Sequence, residues 1–170
     1  DVATNKTTDL TPLEKVHATI EGVSEKFPEE ILVGLNDRNP QLHDIYRVNI
    51  KTGERKLIQE NPGVAAYVTD DDYNVRFSYN YTPEGGQELL QPAEGDKGKP
   101  GDKGITEWEP FMKVGPEDAM TTGPAGFNKE GDVLYLLDSR DRDTGALFSW
   151  NLKTDEKKLI AEDDKADVGE

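Results

Sequence analysis

Serine and histidine set the first limit on what this 170-residue chain could catalyse. The serines are Ser24, Ser78, Ser139 and Ser149, the histidines are His17 and His43, and cysteine is absent. Nucleophilic acyl transfer needs a serine held at a sharp strand-to-helix turn, a histidine to take its proton and an aspartate to orient that histidine. The nearest approach to G-x-S-x-G is Gly22-Val23-Ser24-Glu25-Lys26, which lacks the second glycine and falls within an expected strand. No triad can be assembled, so the chain by itself is expected to be catalytically silent. Without cysteine there are also no disulfides, thiolate nucleophiles or thiolate metal sites.

Acidic clusters come next. Residues 69–74 (TDDDYN) and 138–145 (DSRDRDTG) each gather several carboxylates, the oxygen-rich setting that calcium favours. The second cluster lacks calcium-loop spacing, however, and Arg140 and Arg142 are interleaved with its acids. Solvated hairpins with Asx-type turns describe both segments better. His43-Asp44 could pass for an acid–base pair. Both open an expected strand, and a structural hydrogen bond between Asp44 and nearby loop backbone accounts for the acid more simply. His43 reads as too isolated to ligate a metal. No metal or cofactor is expected.

Arginines are the remaining candidates. Arg38 and Arg140 occupy one repeat position, at the tip between second and third strands, and Arg76 lies in a strand beside Tyr73, Asn74 and Phe77. Each guanidinium could brace a loop carboxylate or carbonyl. The same bidentate geometry would serve a neighbouring domain or a peptide carboxylate. Arg38, Arg76 and Arg140 are therefore candidate substrate or interdomain contacts. Asp44, Tyr46 and Trp150 are candidate structural residues, the two aromatics expected at equivalent buried positions.

These residues are organised by an internal repeat. Residues 31–61 align without a gap on residues 133–163, an offset of 102, with 11 identities running from Leu32/Leu134 to Glu60/Glu162. A fainter copy matches residues 2–10 to residues 50–58, an offset of 48. The unit is thus about 50 residues, the size of a four-stranded propeller repeat. Period-two patterning and turn residues place strands at 16–24, 30–36, 43–50 and 54–59, then 65–69, 74–80, 87–91 and 106–114, then 122–127, 133–138, 146–152 and 156–161. No segment has helical periodicity. The class is all-β. A repeat of this kind fits a propeller, a solenoid or a sandwich of duplicated halves.

Bulk properties narrow the partners. The net charge is -15, from 35 acids and 20 bases, which repels nucleic acid and anionic membrane surfaces. Mean hydropathy is -0.79, yet apolar residues gather in short runs, as in a folded chain and not a disordered one. The longest runs are too short to span a bilayer. The opening DVATNKTTDL has no apolar core of a signal peptide and reads as the interior of a longer chain.

The segment "ILVGLNDRNPQLHDIYRVNIKTGERKLIQENPG" resembles the propeller of prolyl-oligopeptidase-type serine peptidases, in which R-x-P-x-x-H-D-(V/I)-Y-R precedes a T-G turn. "VTDDDYNVRFSYNYTPEGGQELL", "WEPFMKV" and "GFNKEGDVLYLLDSRDRDTGALFSWNLKTDEKKLIAEDDKADV" continue the likeness in order, over nearly the whole chain. The resemblance selects the propeller and implies an α/β-hydrolase domain elsewhere in the intact protein. It also implies that the propeller covers the peptidase site and filters peptide substrates. On that reading the chain is a β-propeller arc of about three four-stranded antiparallel blades. Residues 1–10 form the last strand of a preceding blade, 11–62 a blade, 63–117 a blade with a Gly/Lys-rich hairpin insertion at 92–104, 118–163 a blade, and 164–170 a tail or the start of the next. The insertion is expected to be a dispensable tip on the face opposite Arg38 and Arg140. Gly95, Gly98, Gly101 and Gly104 recur within it at a period of three, too briefly for a triple helix. Self-association through the end blades is expected. A free-standing TolB-like module that binds protein partners is the competing reading.

Overall fold

A computed structural model describes residues 2–96 and 102–169. Residues 97–101, the centre of the expected insertion, lie outside the described residues. The fold is all-β: twelve strands form three four-stranded antiparallel sheets, and no helix occurs among the described residues. Sheet 1 runs β1 (Ala18–Val23), β2 (Glu30–Asn39), β3 (Leu42–Asn49) and β4 (Arg55–Gln59). Sheet 2 runs β5 (Ala66–Thr69), β6 (Val75–Tyr81), β7 (Gln87–Pro92) and β8 (Trp108–Val114), and sheet 3 runs β9 (Gly123–Phe127), β10 (Val133–Asp138), β11 (Ala146–Asn151) and β12 (Glu156–Ala161). In each sheet sequential strands are spatial neighbours, which is the meander of a propeller blade. The described residues fall into two compact units, one of residues 2–63 with 102–104 and one of 64–96 with 105–169.

The turns show why the repeat folds as it does. After β3, Asn49 Oδ1 accepts from the backbone N–H of Lys51 and Thr52, and Gly53 closes the turn at φ 74°. After β11, Asn151 Oδ1 accepts from Lys153 and Thr154, and Asp155 stands at the position of Gly53 with φ 58°. Aspartate is among the few side chains that tolerate the left-handed region, so the turn survives the exchange.

In the first unit, the apolar face of sheet 1 is built from Val33, Leu35 and Val48, with Leu10, Leu13, Val16, Ile31 and Tyr46 packed against it. Residues 2–10, expected as the last strand of a preceding blade, form turns and bends here and no strand. A strand needs a partner for its backbone groups; this segment instead leads into apolar residues that cover the sheet face. The insertion also departs from expectation. Lys103 O accepts from Glu60 N at 2.9 Å, and Lys103 Nζ lies 3.4 Å from Glu60 Oε2. Arg38 Nη1 is 3.5 Å from the same carboxylate, so this end of the insertion meets the Arg38 corner and does not lie opposite it. Gly104, at φ 84°, has room for no side chain, because a Cβ there would sit 2.6 Å from the Ile58 carbonyl oxygen.

In the second unit, sheets 2 and 3 share one core of Phe77, Leu89, Met112, Val114, Leu134 and Leu136. Phe77 lies 4.5 Å from Phe111 and 6.0 Å from Phe127, ring centre to ring centre, and Trp150 lies 5.0 Å from Phe111. Trp150 is half-buried and donates from Nε1 to Asp155 Oδ1 at 2.9 Å; Tyr46 is half-buried too, with its hydroxyl on Asp37. Neither is the fully buried residue the strand pattern implied, since an indole N–H or a phenol O–H needs a polar partner near the surface.

The two best-matching repeats align without a gap yet pair differently. Val33 faces Tyr46 in sheet 1, whereas in sheet 3 Phe148, the equivalent of Tyr46, faces Leu136. A slip of one residue turns side chains to the other face. It goes with the β2–β3 pairing, whose register shifts between Leu35 and Asn39, a shift absent from the β10–β11 pairing.

Candidate functional site

All three candidate arginines are held by carboxylates of their own unit. Arg38 donates from Nε and Nη2 to Asp44, both at 2.8 Å, and from Nη2 to the Asn61 carbonyl at 2.7 Å. Asp44 also accepts from Asn61 N at 2.6 Å and is only 1% exposed. One guanidinium and one carboxylate thus tie the end of β2 to β3 and to the chain leaving β4. The loop backbone bond expected at Asp44 is the one it accepts from Asn61 N–H, and the bond that Arg38 donates to Asp44 holds the guanidinium well above its ordinary pKa. The Arg38 side chain stays 41% exposed.

Arg140 donates from Nε and Nη2 to Asp138, two residues before it, and Lys157 Nζ reaches the same carboxylate at 2.6 Å. Burial alone would raise the Asp138 pKa, but the bonds from Arg140 and Lys157 outweigh it and hold the group well below the usual carboxylate range. Arg76 donates from Nη1 to Asp70 at 2.8 Å and to the Gly131 carbonyl at 2.6 Å, and its guanidinium lies 4.6 Å over the Phe127 ring. It therefore joins sheet 2 to the β9–β10 turn of sheet 3.

Sequence reasoning missed the second cations. Arg55 pairs with Asp37 at 3.3 Å and lies 5.6 Å over the Tyr46 ring. At the equivalent positions, Lys157 lies 4.4 Å over the Phe148 ring. The 102-residue offset already placed each cation in register with its aromatic.

The acidic loops close on themselves. Asp70 Oδ1 accepts from the N–H of Asp72 and Asn74, an Asx-type turn. Ser139 Oγ sits among Thr121, Thr122 and Asp118. His43 is not isolated: its Nε2 lies 3.1 Å from His17 Nδ1. Neither histidine hydrogen-bonds a serine among the described residues.

A comparison with protein-family models finds no match. The chain is 40% identical over 170 residues to dipeptidyl aminopeptidase BIII of Pseudoxanthomonas mexicana, an alignment covering 99% of this chain and 23% of that protein. It is 28% identical over 132 residues to dipeptidyl peptidase family member 6 of Caenorhabditis elegans, covering 78% of this chain and 18% of that one. The chain thus matches a part of larger peptidases and spans about a quarter or less of their length. Among solved structures, TolB from Acinetobacter baumannii is similar with a TM-score of 0.49 at 13% identity, over 79% of this chain and 30% of that chain.

Proposed function

We propose that this chain is a non-catalytic β-propeller segment of a serine peptidase of the prolyl oligopeptidase type, whose blades shield the active site and admit only short peptides. The observation that carries the reading is the 40% identity along the whole chain to part of a dipeptidyl aminopeptidase, in a sequence that offers no nucleophile elbow. On this reading the partners are an α/β-hydrolase domain of the same parent chain and the peptides it cleaves. Arg38 is the arginine best placed for contact with either, since Asp44 fixes one edge of its guanidinium while much of the side chain faces solvent. Arg76 and Arg140 are the second choices.

The test sets the complete reading frame beside the 170-residue chain, using dipeptidyl chromogenic substrates and a ladder of longer peptides. The complete protein should cleave the short substrates and lose activity as length increases, and the isolated chain should turn over none. Turnover by the isolated chain that survives repurification would overturn the proposal, as would a reading frame with no G-x-S-x-G elbow.

Self-association belongs to the same proposal. Strand β12 is exposed along its length, Leu159 and Ile160 are 47% and 51% exposed, and no strand pairs with its outer edge among the described residues. Such an edge templates pairing with a second copy. Sedimentation at micromolar concentration should show association that weakens in Leu159→Lys; a particle that stays monomeric throughout removes this part of the reading.

A further inference from the structure

The sequence contains two histidines, 26 residues apart, and the fold sets them ring to ring. Nδ1 of His17 and Nε2 of His43 are 3.1 Å apart, and the rings stand at 83° with centroids 5.3 Å apart. We propose that this pair is a binding site for a divalent transition cation of the copper, nickel or zinc kind, its remaining positions filled by water.

Three observations support the assignment. The first is the separation. Two imidazole nitrogens at ordinary metal distance lie about 2.9 Å apart in a square-planar cis arrangement and about 3.3 Å apart in a tetrahedral one. The observed 3.1 Å, a hydrogen bond between the rings when no metal is bound, falls between them. A metal would replace the shared proton once the exposed His17 ring turns to aim its lone pair at the same point. The second is support for both residues. His17 N donates to Asn36 Oδ1 at 2.6 Å, and Asn36 Nδ2 donates to the Pro40 carbonyl at 2.9 Å. His43 lies in β3, next to Asp44, which Arg38 and Asn61 fix. These bonds fix the backbone at and beside both ligands, so metal binding needs ring rotation and no movement of the main chain. The third is selectivity. With no cysteine and no other histidine, the rest of the surface offers hard carboxylate oxygens suited to calcium or magnesium.

Two protein ligands make a weaker site than a closed structural one. Bound metal would staple the start of β1 to the start of β3 and stabilise the first unit by mass action. This inference is independent of the peptidase reading.

The test titrates the chain with copper(II) and zinc(II) in a non-coordinating buffer, beside His17→Ala and His43→Gln. Expected are one copper per chain, copper bound more tightly than zinc, a rise in melting temperature with metal, and superhyperfine splitting from two nitrogens in the copper spectrum. Affinity should fall at least tenfold in each variant. His17 is exposed, so His17→Ala keeps the test valid even if His43→Gln folds poorly. Absence of one-to-one binding overturns the proposal. So does copper affinity that survives His17→Ala, which would make carboxylates or the terminal amine the ligands.

Discussion

The Arg38 and Arg140 corners occupy the same place in two copies of one repeat, and they are wired differently. At the first, Arg38 pairs with Asp44 and also reaches Glu60, and Arg55 pairs with Asp37. The second keeps both cations, Arg140 and Lys157, but its equivalents of Asp37 and Asp44 are Ser139 and Ala146. A single carboxylate, Asp138 at the position of Asn36, serves both cations. Each corner demands neutralised positive charge near the end of the second strand, and neither requires a particular acid. Between these two corners the pairing of cations with carboxylates is kept while the contacts change.

Substitutions can break the comparison or sharpen it. Asp44→Ala should have the largest effect, about 2–4 kcal/mol, because it leaves the buried Asn61 N–H without its acceptor and also unpairs the partly exposed Arg38, whose share is reduced by solvent. Chemical denaturation measures it, and a loss under about 1 kcal/mol would mean that Arg38 simply rehydrates. Asp138→Asn should cost about 2–3 kcal/mol near neutral pH, since one change unpairs two cations. Its cost should depend on pH. A carboxyl whose folded pKa is depressed stabilises the protein above its unfolded value near 4 and loses that contribution as pH falls through the folded value. The gap between parent and variant should therefore narrow in unfolding curves taken at pH 3, and a gap constant with pH would assign the loss to packing. Asp37→Asn should cost least, under about 1 kcal/mol, because its pair with Arg55 is open to solvent. If Asp37→Asn matched Asp138→Asn, sharing one carboxylate between two cations would carry no weight.

Much of the fold was legible because strands announce themselves locally. The alternation of residues 146–152 and the Lys-Thr turns at 51–52 and 153–154 placed β11 and two hairpins to within a residue or two. What escaped was set by contacts between distant residues. No local pattern reveals that Leu10 and Leu13 pack against the Val33, Leu35 and Val48 cluster, or that Lys103 reaches Glu60. A gapless alignment likewise hides the one-residue difference in pairing, which a hairpin bulge creates without changing sequence length. Arg38 and Arg140 stand out by their shared repeat position, but their carboxylate partners differ between the copies and do not. The two histidines, 26 residues apart, gave no sequence sign that their rings would meet.

Arg76 has a consequence for the order in which this molecule comes apart. Its bond to the Gly131 carbonyl spans 55 residues of sequence, whereas the pairings inside sheets 2 and 3 join neighbouring strands. Short-range meanders close quickly, and a contact of long sequence separation pays its loop entropy late. The guanidinium should thus engage after both meanders exist, on the native side of the folding barrier. Removing it would accelerate unfolding and leave the refolding rate nearly unchanged. In native-state hydrogen exchange, amides of β6 and β10 should lose part of their protection together, since the core of Phe77 and Leu134 still holds the two sheets.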